Sequence, residues 1–270
     1  MPDIPGYTEH EQRRSSGKRG DFATLIKKGL HVTRVVTNDY AILTNLLLPG
    51  GDKLSIVNTY MPPIASIKRK RLSDEVVQDA VCELVAKVPH DSKLAVVGDF
   101  NARTGTLMPP DADGSHRTRV STDGVVCARG KWLAEQWQLW ACPPLNGSWG
   151  DRGGASTCLH SNGASVVDYM CIKGDATLFQ VLMDGLRGLS DHRALECTIA
   201  CSGGGPMQPT QAQQEQNVRY RWVGGSELAD YAASGNAWQA HTASADFAAR
   251  MQHVLDAHDG DLASRVSALE

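Results

Sequence analysis

Leu94-Ala95-Val96-Val97-Gly98-Asp99-Phe100-Asn101 is the stretch on which the fold turns. Its continuous apolar run is the pattern of a short strand covered on both faces, as happens in α/β folds but not at the surface of a one-sided sheet. The run delivers Asp99 to the strand tip, with Asn101 two positions on. Both side chains can then reach one pocket. A carboxylate and a carboxamide so placed can orient a nucleophilic water and hold a phosphate oxygen. They also stabilise turns after strands, so the motif by itself leaves both roles open.

Upstream, Leu72, Val76, Ala80, Leu84 and Val88 recur every four residues with Val77 and Val81 beside them. This predicts an amphipathic helix from Leu72 to Val88, stopped by Pro89. Leu54 to Tyr60 alternates apolar and polar residues before Pro62-Pro63, so Tyr60 falls at a strand end. Phe22–Ile26, Val32–Val36 and Ala41–Leu48 are β-prone runs, broken at Lys27-Lys28-Gly29 and Thr37-Asn38-Asp39 and closed by Gly50-Gly51-Asp52.

Downstream, Arg103 to Thr122 reads as a long polar loop and Lys131 to Leu139 as a helix. Asn162-Gly163 marks a hairpin between two strand-like runs, with Asp168 inside the second. From Ser202 the composition shifts to Gly, Pro and Gln, predicting a main domain over 1–200, a linker over 201–217 and a helical tail over 218–270.

The chain has 270 residues, 41% hydrophobic and 21% charged, values that suit one sizeable core. No basic start with an apolar run opens it and no stretch is long enough to span a bilayer, so secretion and membrane insertion are not expected. Seven scattered cysteines without CxxC pairs read as reduced, mostly buried thiols. A net charge of -3 gives no global case for nucleic acid, although Arg13-Arg14, Lys18-Arg19 and Lys68 to Arg71 are local basic clusters.

Two further motifs carry chemistry. In Ser190-Asp191-His192, adjacent carboxylate and imidazole can serve a metal and a scissile phosphate separately. Ser165-Val166-Val167-Asp168-Tyr169 places a carboxylate in an apolar strand, where it needs a partner; His192 is the expected one.

A strand-end Tyr followed by Pro, then GDFN, S-x-x-D-Y and S-D-H, in that order, resembles the endonuclease/exonuclease/phosphatase family over roughly residues 3 to 200. The resemblance implies a four-layer α/β sandwich of two packed mixed β-sheets flanked by helices. It also implies Mg²⁺, or Mn²⁺, as cofactor and DNA as substrate. By the same resemblance Asp191 helps bind the metal, and His192, held by Asp168, contacts the scissile phosphate. Asp99 activates the attacking water and Asn101 positions Asp99 or the phosphate. Tyr60 assists the leaving oxygen or touches the phosphate, with Asn58 also on the phosphate. Thr157, beside Ser156, and Ser165 fall near where the family carries a small hydroxyl residue.

Asp99 to Arg103, Ser121-Thr122-Asp123, Ala128-Arg129-Gly130, Leu145-Asn146-Gly147 and Ser190 to Arg193 look like the endonuclease of non-LTR retrotransposons. Arg221-Trp222-Val223 with Ser226-Glu227-Leu228 is similar to the segment that joins such enzymes to a downstream reverse transcriptase, the expected partner in the parent element. An intracellular, nuclear location follows from that reading. The family pattern starts with an Asn strand and a Gln-Glu strand that would precede Ile4, so the fold is expected to lack its first strands and the activity of this chain is in question. Glu9 and Glu11 read as solvated loop residues rather than replacement ligands.

Two other functions fit the residues. One is a silent remnant that binds nucleic acid through Arg117, Arg119 and the Lys68–Arg71 cluster. The other is a phosphoesterase of the same fold acting on lipid or inositol phosphates.

Overall fold

The computed structural model describes residues 5–12, 22–69, 71–110, 118–148, 153–160, 163–174, 176–182, 190–201 and 219–222. The β-prone runs become strands β1 (Tyr7–Gln12), β2 (Phe22–Lys27), β3 (His31–Thr37), β4 (Ala41–Leu47) and β5 (Lys53–Tyr60). Helices α1 (Ile64–Arg69) and α2 (Asp74–Ala86) lead to β6 (Lys93–Asp99), and α3 (Ala128–Leu139) to β7 (Cys158–His160), β8 (Gly163–Ser165) and β9 (Asp168–Lys173). Strands β10 (Ala176–Leu182), β11 (Ala194–Ile199) and β12 (Arg219–Trp222) follow.

A five-stranded sheet in the order β3-β4-β5-β6-β9 forms the centre. Only β5 and β6 run parallel, because α1 and α2 cross over between them, while the other neighbours are antiparallel. Val77, Val81 and Leu84 of α2, with Leu133 and Trp137 of α3, pack on one face against Leu43, Val57, Val96 and Cys171. On the other face Ile56, Ala95, Val97 and Met170 meet Ile26 of β2 and Leu195, Cys197 and Ile199 of β11. Each such side chain contributes about 1.5–3 kcal/mol on burial. Strand β6 is therefore apolar on both sides, which is why its sequence is a continuous run rather than an alternation.

The expected helix forms, but shorter and turned. Asp74 and Glu75 occupy its first turn, where negative charge complements the dipole. Its buried stripe is Val77, Val81, Leu84 and Val85, whereas Leu72 and Val76 are exposed.

The second layer of the expected α/β arrangement consists of antiparallel pieces, β1-β2 and β10-β11-β12, on one face of the central sheet. Several other expectations need correction. Glu9 and Glu11 are not loop residues; they lie in β1, paired with Leu25 and Ala23 of β2. The alternating pattern of that segment is masked by its polarity, so its strand character shows only through pairing with β2. Strands β7 and β8 pair as the expected hairpin, but Asp168 opens β9 in the central sheet, beyond the hairpin.

Residues 219–222, expected to start a helical tail, form β12 on β11. Arg219-Tyr220-Arg221-Trp222 has β-prone aromatics at alternate positions, and the edge of β11 offers unpaired backbone groups. The proposed linker from 202 and the remainder of the tail lie outside the described residues, as do Lys70 and Arg117. Among the described residues no helix is long and apolar enough to cross a membrane.

Candidate active site

Three neighbouring strands end together. Tyr60 of β5 stands opposite Asp99 of β6, and Asp99 opposite Asp168 of β9. Asp99 shares a side of β6 with Ala95 and Val97 because side chains alternate along a strand, so it faces the space between the two layers. Gly98 allows β6 to lie this close to β5: its φ is +133°, and a Cβ there would sit 1.9 Å from the Thr59 carbonyl oxygen. Asn101 adopts the left-handed conformation, with φ of 44°. From there its backbone N–H and its Nδ2 each donate to Asp99 at 2.7 Å, and Nδ2 also donates to the Met61 carbonyl at 3.0 Å.

Asp168 is fully buried and accepts from or shares a proton with His192 Nδ1 through both oxygens, at 3.0 and 2.9 Å. Thr157 Oγ1 accepts the backbone N–H groups of Val167 and Asp168, both at 3.1 Å, fixing the entry of β9. Asn146 holds the same strand from its other side, donating to the Asp168 carbonyl at 3.0 Å and accepting from Met170 N–H at 3.1 Å.

The electrostatics follow from burial and from charge. Burial, then the charge of Asp168, push the Asp99 carboxyl well above its ordinary range, against the opposing pull of His192. Burial opposes protonation of His192, but the hydrogen bond and charge of Asp168 outweigh it and carry the imidazole up to about 11. The ring is thus a cation at neutral pH, with Nδ1 committed to Asp168 and the Cys158 thiol also bonded to the ring.

The other expected site residues differ in their placement. Asn58 shares the face of Asp99, but its Nδ2 is spent on the Ala23 carbonyl at 2.9 Å and Thr24 Oγ1 at 3.2 Å. Its Oδ1 is buried without a hydrogen-bond partner among the described residues. Ser165 enters through its backbone: its carbonyl accepts the Thr157 N–H at 2.9 Å. Ser156 Oγ bonds Thr122 Oγ1 at 2.9 Å. Asp191 lies 4.0 Å from His192 Nε2, on the side away from Asp168.

Residues outside the expected catalytic set frame the site. Arg129, at the start of α3, is fully buried, yet it donates to the carbonyls of Pro62 at 2.9 Å and Phe100 at 3.1 Å and pairs with Asp74. It ties the turn after β6 to the turn after β5. Arg103 grips Asp123 through Nε and Nη2, at 2.8 and 2.6 Å, and Asp123 also accepts the Val166 N–H at 3.1 Å just before Asp168. Arg119, read as a surface cation for nucleic acid, is instead buried, donating to the carbonyls of Asn146 at 2.7 Å and Gly105 at 2.6 Å and lying over the rings of Trp137 and Tyr169. Buried arginine needs acceptors and aromatic faces, and here it has both. The signal available in the sequence was the clustering of Arg129, Asn146 and Asp123 in motifs of the resemblance.

Two groups of metal-capable side chains share His192: Asp99 with Asp168, and Cys158 with Asp191; within each group the ligand atoms lie within 4.8 Å of one another. The first is rich in carboxylate oxygen, and the unpartnered Asn58 oxygen lies on the same face of the sheet. Hard oxygen donors of this kind fit Mg²⁺ or Mn²⁺.

No family model matches the chain, and no curated protein matches it in sequence. Solved structures do. A 3′ phosphatase, NExo, from Neisseria, bound to product DNA hairpin, is 13% identical over 73% of this chain and 80% of its own, with a TM-score of 0.53. The 3′-5′ exonuclease NExo from Neisseria meningitidis is likewise 13% identical over 73% and 80%, at 0.50. Truncated TDP2 from Caenorhabditis elegans, 16% identical over 72% and 76%, scores 0.43, too low to support any inference. At these identities the likeness establishes the fold: a mixed α/β arrangement of the endonuclease/exonuclease/phosphatase type.

Proposed function

We propose that this chain is a divalent-metal-dependent phosphodiesterase acting on DNA, an endonuclease of the kind found in non-LTR retrotransposons. The observation that carries the reading is the meeting of Asp99, Asp168 and His192 at one sheet end, from three segments far apart in sequence. The likeness of fold to two DNA-processing structures supports it.

In this reading Asp99 takes the proton of the attacking water. Its two hydrogen bonds from Asn101 fix the direction of its oxygens, and burial beside Asp168 makes it more basic than a solvated aspartate. The His192 cation, oriented by Asp168, faces the scissile phosphate with Nε2 and stabilises the charge that gathers on its oxygens. Tyr60, beside Asp99 in the sheet, attends the leaving oxygen. Asp191, beside His192, would help hold Mg²⁺, which would supply Lewis-acid charge at the phosphate. The buried place of Arg119 weakens the alternative of a silent nucleic-acid binder, since one of its proposed contacts supports the fold instead.

The test is nicking of supercoiled plasmid in Mg²⁺ by the wild-type chain, Asp99→Ala and His192→Ala. Wild-type nicking with loss in both variants is expected. Nicking that survives both substitutions would overturn the assignment, and hydrolysis of inositol phosphates in its place would move the substrate class.

A further inference from the structure

Next to the proposed catalytic cluster lies a second one of different chemistry. Cys158 and His160 are two apart on β7 and therefore share a face. His160 Nε2 is 3.1 Å from Cys158 Sγ, and its Nδ1 is 2.9 Å from Asp191 Oδ2. The Cys158 thiol also reaches the ring of His192, whose Nδ1 is held by Asp168 at 2.9 Å. His192 thus has Nδ1 tied to a carboxylate, the arrangement that fixes a histidine for ligation through its other nitrogen, while His160 holds the Asp191 carboxylate in place. The backbone keeps the two segments together: Leu159 N–H donates to the Asp191 carbonyl and Arg193 N–H to the Thr157 carbonyl, both at 2.7 Å, and Cys158 pairs with His192.

We propose that Cys158, Asp191 and His192, with His160 orienting Asp191 from behind, form a binding site for a thiophilic divalent cation such as Zn²⁺, and that its occupation inhibits the neighbouring reaction. Zinc bonds of about 2.0–2.3 Å in a tetrahedron separate ligand atoms by about 3.3–3.8 Å. The ligand atoms of the three lie within 4.8 Å of one another, and Nε2 of His192 is 4.0 Å from Oδ1 of Asp191, so side-chain rotations bring them to that range and leave a fourth position for water. A thiolate and an imidazole select zinc or cobalt over Mg²⁺, which prefers oxygen. A Cys–His–Asp relay for acyl transfer needs one imidazole at the sulfur; two converge here. The site stays accessible from solvent, since the His160 side chain is 58% exposed. The inhibitory part rests on the phosphodiesterase reading: an ion here claims His192 and Asp191, which that reading assigns to phosphate and to Mg²⁺.

The experiment titrates the reduced full chain with Co²⁺ and follows the sulfur-to-cobalt charge-transfer absorption, then competes with Zn²⁺. A thiolate band in the wild type, absent in Cys158→Ser, with about 10–100-fold weaker binding in His160→Ala, supports the site. His160 is exposed, so that variant also serves if Cys158→Ser fails to fold. Absence of the band, or a band unchanged in both variants, overturns it whether or not the chain nicks DNA. In the Mg²⁺ nicking assay, Zn²⁺ inhibition of the wild type that is relieved in His160→Ala supports the inhibitory role, and equal inhibition of both overturns that role.

Discussion

Asp99 and Asp168 face one another across the β6–β9 ladder, two carboxylates buried in directly opposed register positions. Like charges so placed cannot be accommodated without compensation, and the molecule supplies it on each side: Asn101 donates twice to Asp99, and His192 neutralises Asp168. Burial first, and then the charge of Asp168, makes Asp99 a stronger base than a surface carboxylate.

The pH dependence follows with a definite sign. Asp99 holds its proton to a pH well above the 3.8 of an ordinary aspartate. The acid limb of kcat/KM should therefore lie above the usual carboxylate range. The contribution of this group to stability is full below the unfolded value and is lost as pH rises through the folded one. Asp99→Asn should flatten that part of the stability profile, which urea unfolding across pH would measure; an unchanged profile contradicts the reading.

Asn101 has two separable duties, its left-handed backbone and its hydrogen bonds to Asp99. Asn101→Gly should keep the fold but lose about 10²–10³-fold in kcat as Asp99 is freed to turn. Asn101→Ala should lose the same activity and a further ~1–2 kcal/mol, because alanine resists this φ. Thermal unfolding set beside kcat separates the two, and equal stability of both variants would count against the strained backbone.

Arg129→Met should cost about 3–5 kcal/mol, since it strips Asp74 of its partner and leaves the Pro62 and Phe100 carbonyls without their donor. Lysine cannot reproduce the fork, so Arg129→Lys should rescue little. Denaturant midpoints at constant slope are the measurement, and a loss below ~1 kcal/mol would show the contact to be dispensable.

Gly98→Ala should prevent native pairing of β5 and β6, costing about 3 kcal/mol or more, because the new methyl meets the Thr59 carbonyl at 1.9 Å and the φ is one alanine avoids. Circular dichroism and refolding yield would reveal it; a well-folded variant would mean the strands can part at this point.

Much of this arrangement is legible in the residues themselves. The apolar run into Asp99 announces a doubly covered strand, and the four-residue spacing after Leu72 announces a helix. Tyr60 and Asp99 are each legible as strand-end residues, and the parallel pairing of β5 with β6 sets them opposite one another. Other parts are hidden for physical reasons. Strand β1 is polar throughout and is recognised only by its pairing with β2. Arg119 reads as a surface charge because sequence does not reveal that Trp137 and Tyr169 form a pocket for it. Cys158 and His160 look unremarkable until the segment bearing Asp191 and His192 is laid beside β7.

The most direct measurement is plasmid nicking in Mg²⁺ by equal amounts of folded wild type and His192→Ala. The imidazolium over the phosphate predicts wild-type nicking that ceases on addition of chelator and falls about 10²–10⁴-fold in the variant. Nicking of equal rate in both proteins would mean that the buried Asp168–His192 pair holds the fold together and takes no part in phosphodiester hydrolysis.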